Sequence, residues 1–336
     1  MILASKTGAV EGSSRELADW QQSLRLAYRT QAELLAAVGL GTENFSSAQT
    51  NFPILAPREF VNRMEYGNPN DPLLLQVLET EQESQSDIGE LDPVGDMASY
   101  RGGLLLQKYA HRVLLIASGV CAIHCRYCFR RHFPYAALSR GQEGLHRALV
   151  DISSDESIQE VILSGGDPLM LPDKHLKWLV DEIDAISHVQ RIRLHTRLPV
   201  VIPSRVCDAL CDWLKQVRSA VYIVLHVNHA NEIDLNVTRA IRLLRSQGVQ
   251  LLNQAVLLRG VNDSVEAQVE LCKQLINLQV IPYYLHLLDP VRNAMHFNVS
   301  LPEGLAIIDA MQRELPGYAV PNLVREVCGE KSKVRV

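Results

Sequence analysis

Residues 111–135 read HRVLLIASGVCAIHCRYCFRRHFPY. The run at 112–118 (RVLLIAS) is apolar nearly from end to end, the texture of a strand buried on both faces rather than on one. Cys121, Cys125 and Cys128 follow at once, on the loop that leaves the strand's C-terminal end. Runs of the same texture recur at 160–164 (EVILS), 191–195 (RIRLH), 221–226 (VYIVLH), 251–258 (LLNQAVLL) and 281–288 (IPYYLHLL). After a first, longer interval they return about every 30 residues, the repeat of strand, crossover helix and parallel strand. Amphipathic stretches at 174–186, 205–217, 238–246 and 265–278 supply the helices. The fold class is therefore α/β with six candidate β/α units. A barrel is favoured over a doubly wound sheet by the polar residues. Cys121, Ser164 to Asp167, His195 to Arg197, His226, Asn228 and Asp289 all fall at or just beyond the C-terminal ends of successive strands, where barrels assemble their sites. A doubly wound sheet would gather them at one crevice.

Outward from this core, residues 1–103 are expected to form a mostly helical extension, with Leu17, Trp20, Leu24, Leu26, Leu34, Leu35 and Val38 at helical spacing. The acidic, turn-rich stretch 79–95 (ETEQESQSDIGELDPVG) reads as a solvated connection near the boundary. Residues 104–300 then form the core and 301–336 a C-terminal segment. Of the 336 residues, 47% are hydrophobic and 21% charged, with a formal net charge of -5. That composition excludes disordered and collagen-like classes and gives no reason to expect nucleic-acid binding. No apolar run approaches the ~18 residues of a membrane span, and the first residues lack a secretory signal. A cytoplasmic protein with no membrane partner is expected.

Seven cysteines, three of them within eight residues, suit metal or redox chemistry better than a disulfide framework. C-x3-C-x2-C leaves a tetrahedral site one ligand short. Zinc completed by His124, His132 or water is one solution; an iron–sulfur cluster with one iron open to an exogenous ligand is another. Cys207 and Cys211, one helical turn apart, read as core or surface thiols. Downstream, LSGGDP places Gly165 and Gly166 before Asp167 just after the second candidate strand, and paired glycines let backbone approach a ligand closely.

C-x3-C-x-aromatic-C after the first strand of a βα barrel, with Tyr127 at the aromatic position and GGD after the second strand, resembles the radical S-adenosylmethionine superfamily. The flanking segments LSGGDPLMLPD, HTRLPVVIP, NHANE, NQAVLLRGVND, YYLHLLDPVRNAMHF and GYAVPNLVREVCGEKSK narrow the resemblance to lysine 2,3-aminomutases, from about residue 100 onward, with a weaker echo in REFVNRMEYGNPNDPLLLQVL. RYCFRRHFPY and LHLLDPV look closest to the short bacterial branch that makes (R)-β-lysine for elongation factor P. The cysteine-bearing C-terminal extension of the catabolic enzymes is not present before Val336, which agrees with that branch.

The resemblance implies a partial (β/α)6 barrel, a 4Fe-4S cluster held by Cys121, Cys125 and Cys128, S-adenosylmethionine, and pyridoxal 5′-phosphate. It implies Gly165, Gly166, Asp167, His226 and Gln254 around S-adenosylmethionine, and Lys108 and Arg112 for the pyridoxal phosphate group. Arg130 is implied for the substrate carboxylate, and Asp289 with Glu326 for the ε-ammonium of L-lysine. Arginine suits a carboxylate because its planar fork binds it bidentately. The family's pyridoxal phosphate lysine falls in the segment 329–333 (GEKSK); counting from Glu326 selects Lys333, with Lys331 as the fallback. Val334 and Arg335 replace the Thr-Pro that usually follows. The implied activity is a radical 1,2-amino shift converting L-α-lysine to (R)-β-lysine, linked to elongation factor P and its lysyl-transferase, with a reductase or flavodoxin as electron donor. The same chemistry on arginine or glutamate is the alternative; glutamate would want a cation where Asp289 and Glu326 put acids. A radical enzyme without pyridoxal phosphate and a non-catalytic metal-binding protein are further alternatives.

Overall fold

The computed structural model describes residues 19–46, 51–85, 88–138 and 141–336. Its N-terminal part is helical in short pieces. Helix α1 (Asp19–Arg25) buries Trp20. Helix α2 (Gln31–Ala37) opens on a capping box between Thr30 and Glu33 and buries Leu34 and Leu35, and α3 (Arg58–Val61) buries Phe60 and Val61. Leu17 lies outside the described residues. Leu26 falls just beyond α1 and is 47% exposed, so it leaves the apolar face expected of it.

The sheet has ten strands in chain order. Strands β1 (Tyr100–Gly102) and β2 (Leu105–Leu106) form an antiparallel lead-in to β3 (Arg112–Ser118). From β3 the strands β4 (Glu160–Gly165), β5 (Arg191–Thr196), β6 (Ala220–Leu225), β7 (Gln250–Val256), β8 (Ile281–His286) and β9 (Asn322–Arg325) each pair parallel with the one before. Finally β10 (Val334–Arg335) turns back antiparallel on β9. No pair joins β1 to β10 among the described residues, so the barrel is partial.

The six expected β/α units are present, and the seventh parallel strand, β9, was not expected. Crossovers are α4 (Gln142–Ser154), α5 (Asp173–Asp184), α6 (Leu198–Val201) with α7 (Asp208–Leu214), α8 (Leu235–Arg245), α9 (Val265–Asn277) and α10 (Leu301–Glu314). In α8, Val237, Ala240, Ile241 and Leu244 recur at the spacing of one helical face and are buried against the sheet. Side chains of Asp234, Ser264 and Ser300 accept backbone N–H groups at the first turns of α8, α9 and α10.

Much of the described part of the stretch 79–95 is exposed, but it is anchored at one acidic residue. Glu83 is 0% exposed and accepts from both Arg126 and Arg131 at 2.6–2.7 Å. A carboxylate paired with two guanidinium groups can be buried where an unpaired one could not.

Candidate active site

A cavity of about 920 Å³ occupies the barrel and opens beyond the C-terminal strand ends, within the size range of small-molecule sites. Every residue that the family resemblance implied for a cofactor or the substrate lines it, from Lys108 to Lys333; the fallback Lys331 does not.

The loop after β3 is pinned from outside. The backbone N–H of His124 donates to the Leu55 carbonyl at 2.9 Å, and its ring Nδ1 lies 2.8 Å from the Pro53 carbonyl while stacking on Phe52. His132 contacts the Arg292 carbonyl. Each of these rings contacts a backbone carbonyl through one nitrogen. Arg126 and Arg131 clamp Glu83 and flank the Phe52 ring at 5.0 and 4.7 Å. Arg130 lines the interior, donating Nε to Asp96 at 2.7 Å and Nη1 to Ser164 at 3.3 Å.

Cys121, Cys125 and Cys128 are free, half-buried thiols. Burial, then neighbouring thiols, raises Cys121 well above its usual range and Cys128 to about 11. A metal loaded here therefore displaces protons. Among the described residues no three His, Cys, Asp or Glu side chains are already gathered as a chelate.

Gly165 and Gly166 are required by contact. At Gly165, φ is +114°, and a Cβ would meet the Ser118 carbonyl at 2.3 Å; at Gly166 it would meet the Val120 carbonyl at 2.3 Å. The backbones of β4 and the cysteine loop thus touch, through Gly166 N–H to Ser118 and Asp167 N–H to Val120. The Asp167 carboxylate is committed elsewhere: it accepts from Leu169 N, Thr196 Oγ1, Arg197 N and Leu198 N at 2.8–3.2 Å. It braces the β4 turn against the end of β5 while still lining the cavity.

Lys108 is paired within the site. Its Nζ donates to the Val94 carbonyl at 2.8 Å and lies 2.9 Å from Asp96 and 3.4 Å from Glu326, so its charge is shared by two carboxylates. Arg112 stands over the Tyr109 ring at 4.7 Å and makes no ion pair among the described residues. Arg193, which the sequence did not single out, lines the same wall with a buried, unpartnered Nε.

Lys333 shares the Glu326 carboxylate with Lys108. The β9–β10 pairing, Val334 opposite Arg325, fixes Lys333, and its Nζ lies 2.6 Å from Glu326 Oε2 and 6.0 Å from the Tyr284 ring centre. Lys331 is exposed. Burial opposes ionisation of Glu326, but the charge and hydrogen bond of Lys333, with the 2.6 Å hydrogen bond from Tyr109, hold its carboxyl below the usual range. Asp289, beyond β8, is pushed up to about 7 by burial, against the pull of Lys333. Tyr109 and Asp96 were not legible as site residues, because their role is pairing with partners far along the chain.

His195, His226 and His286 each present a buried, unpartnered Nε2. Burial drives His226 down to about 4 and the other two well below the usual range, so all three are neutral. Gln254 lines the wall near them. Three free thiols on one loop, glycine backbones against that loop, orphaned imidazole nitrogens and a lysine amine held by a carboxylate fit an iron–sulfur cluster with a nucleoside cofactor and pyridoxal phosphate.

Comparison with known proteins agrees. Residues 115–272 match the model of the Radical SAM superfamily. The L-lysine 2,3-aminomutase of Escherichia coli (strain K12) is 43% identical over 325 residues, covering 95% of this chain and 94% of that protein. That of Haemophilus influenzae is 42% identical over 323 residues, covering 95% and 96%. The glutamate 2,3-aminomutase of Clostridioides difficile is 31% identical over 307 residues, covering 91% and 72%. No helix among the described residues is long and apolar enough to cross a membrane.

Proposed function

The chain belongs to the L-lysine 2,3-aminomutase family of radical S-adenosylmethionine enzymes, and on that premise we propose that it converts L-α-lysine to (R)-β-lysine. It is an isomerase whose cofactors are a 4Fe-4S cluster, S-adenosylmethionine and pyridoxal 5′-phosphate. When bound, the first two supply a primary carbon radical that removes hydrogen from the substrate, and the third supplies a conjugated system over which the unpaired electron spreads.

The chain's residues provide placement. Cys121, Cys125 and Cys128 hold the cluster, and the bare backbones of Gly165 and Gly166 let S-adenosylmethionine approach it. His226 and Gln254 face its adenosyl part. Lys333 carries pyridoxal phosphate, with Arg112 as the unpaired cation for the phosphate and Lys108 beside it. Arg130, already oriented by Asp96, offers its remaining N–H groups to the substrate carboxylate. Asp289 and Glu326 take the ε-ammonium. Hydrogen transfer needs near-contact geometry, so this fixed frame is what the protein adds. Residues 301–336 serve as the segment that carries Lys333 onto the 104–300 core, with 1–103 as an N-terminal extension whose residues Pro53 and Leu55 meet the cysteine loop.

The observation that carries lysine over glutamate is the Lys333–Glu326 contact beside Asp289: this wall already accepts a primary ammonium. A second side-chain carboxylate placed there would face two acids. Anaerobic reconstituted enzyme supplied with lysine, arginine or glutamate tests this, with β-amino product read by chromatography. Lysine is expected to turn over best by orders of magnitude; preferred turnover of glutamate would reverse the reading.

We also place the product in modification of elongation factor P through its lysyl-transferase, with a reductase or flavodoxin as electron source, on the strength of the RYCFRRHFPY and LHLLDPV segments. Deleting the gene should remove the β-lysyl mass from elongation factor P. Persistence of that mass at normal occupancy, with no second aminomutase in the genome, would refute the role.

A further inference from the structure

Arg197 lies one residue beyond β5 and is 6% exposed. Its guanidinium is held on several sides. Nη1 lies 2.7 Å from Cys125 Sγ and 2.7 Å from the Tyr127 hydroxyl, and Nη2 donates to Gln76 at 2.7 Å and to Glu232 at 2.9 Å. The rings of Phe60 and Tyr127 flank it at 5.2 and 5.8 Å. Its backbone N–H donates to the Asp167 carboxylate at 2.8 Å. Glu232 is itself 0% exposed and braced by Gln76 and by the backbone N–H groups of Asn228 and His229. A cation is thereby locked against one of the three thiol sulfurs, in surroundings from which water is excluded, and none of the roles assigned above uses it.

We propose that Arg197 sets the reduction potential of the cluster through Cys125, and that buried Glu232 is the counter-charge that limits its effect. Reduction adds one electron and no proton to the cluster, so negative charge grows on the iron-bound sulfurs. A fixed cation donating to one of those sulfurs stabilises the reduced form more than the oxidised form. Low local polarity strengthens the effect in both directions: removing Arg197 disfavours reduction, and removing the Glu232 charge favours it. The inference concerns the cluster alone, so a wrong substrate assignment would leave it standing.

The test is an equilibrium redox titration of anaerobically reconstituted full-length protein without substrate or S-adenosylmethionine. Dithionite is the one-electron donor, and the reduced cluster is read by electron paramagnetic resonance. Arg197→Gln should shift the reduction equilibrium about tenfold toward the oxidised cluster, which is ~59 mV for a one-electron couple. Glu232→Gln should shift it the opposite way, and Arg197→Lys should recover part of the loss. Iron content and the circular dichroism spectrum report folding separately. Wild-type potentials in Arg197→Gln and Glu232→Gln at full iron content would overturn the proposal, as would shifts of both in the same direction. If Arg197→Gln does not fold, Glu232→Gln and Arg197→Lys decide by the same signs.

Discussion

Asp289→Asn should make the cofactor-free protein more stable and its lysine binding weaker, through one ionisation. In the folded chain Asp289 titrates near 7 rather than 3.8, because burial disfavours its charge and Glu326 adds to the effect, while Lys333 and Lys108 oppose it. A carboxyl whose folded value is raised stabilises the fold fully below 3.8, and that contribution is lost as pH rises through 7. The gap is about three pH units at about 1.36 kcal/mol each, so on the order of 4 kcal/mol is forfeited at pH 8. Asparagine keeps the shape without the charge.

The assay is urea unfolding of apoprotein at pH 5 and pH 8, for wild type and variant. The stability difference in favour of the variant should grow from pH 5 to pH 8 by as much as a few kcal/mol. Lysine affinity should move the other way. Ammonium binding needs the ionised carboxylate, so wild-type affinity should fall about tenfold per unit below pH 7, and the variant should be weak and flat. A variant advantage that does not change between pH 5 and pH 8 would show that the site does not suppress this ionisation. The whole account of the ammonium seat would then fail.

Borohydride reduction of pyridoxal phosphate-loaded protein, followed by peptide mapping, should place the label on Lys333; label on Lys331 would contradict the β9–β10 register. Glu83→Gln leaves two buried guanidiniums short of a counter-charge and should cost on the order of 3 kcal/mol in urea unfolding, together with loss of iron retention; wild-type stability would mean the clamp is ornamental. Gly166→Ala drives a Cβ against the Val120 carbonyl at 2.3 Å and should lower both melting temperature and iron content, whereas an unchanged iron content would show that the β4 turn and the cysteine loop can separate freely.

The parallel strands were readable because a strand covered by helices on one face and barrel interior on the other is apolar along its length, as 112–118 and 160–164 are. Strand β9 escaped because four residues, Asn322 to Arg325, carry no such run. In the stretch 79–95, buried Glu83 escaped for a different reason. Its acidity looked like solvation, but Glu83 finds Arg126 and Arg131 more than 40 residues away, and local composition holds no record of a distant partner.

The same blindness divides the site. Residue types that announce chemistry by themselves, three cysteines, two glycines and a lysine after a turn, were found from the chain and its family likeness, and all line one cavity. Residues that matter by pairing were missed or misjudged. Lys108, implied for a phosphate, is paired with Asp96 and Glu326. Tyr109 and Asp96 looked like nothing in particular. Asp167, a cavity-lining residue, also holds Thr196 and three backbone N–H groups. Each of these buried groups is compatible with its surroundings only because a partner satisfies it. A substitution at one of them therefore acts first on the frame and only through it on the chemistry, so its effect should appear in stability or cofactor retention even where no substrate is present.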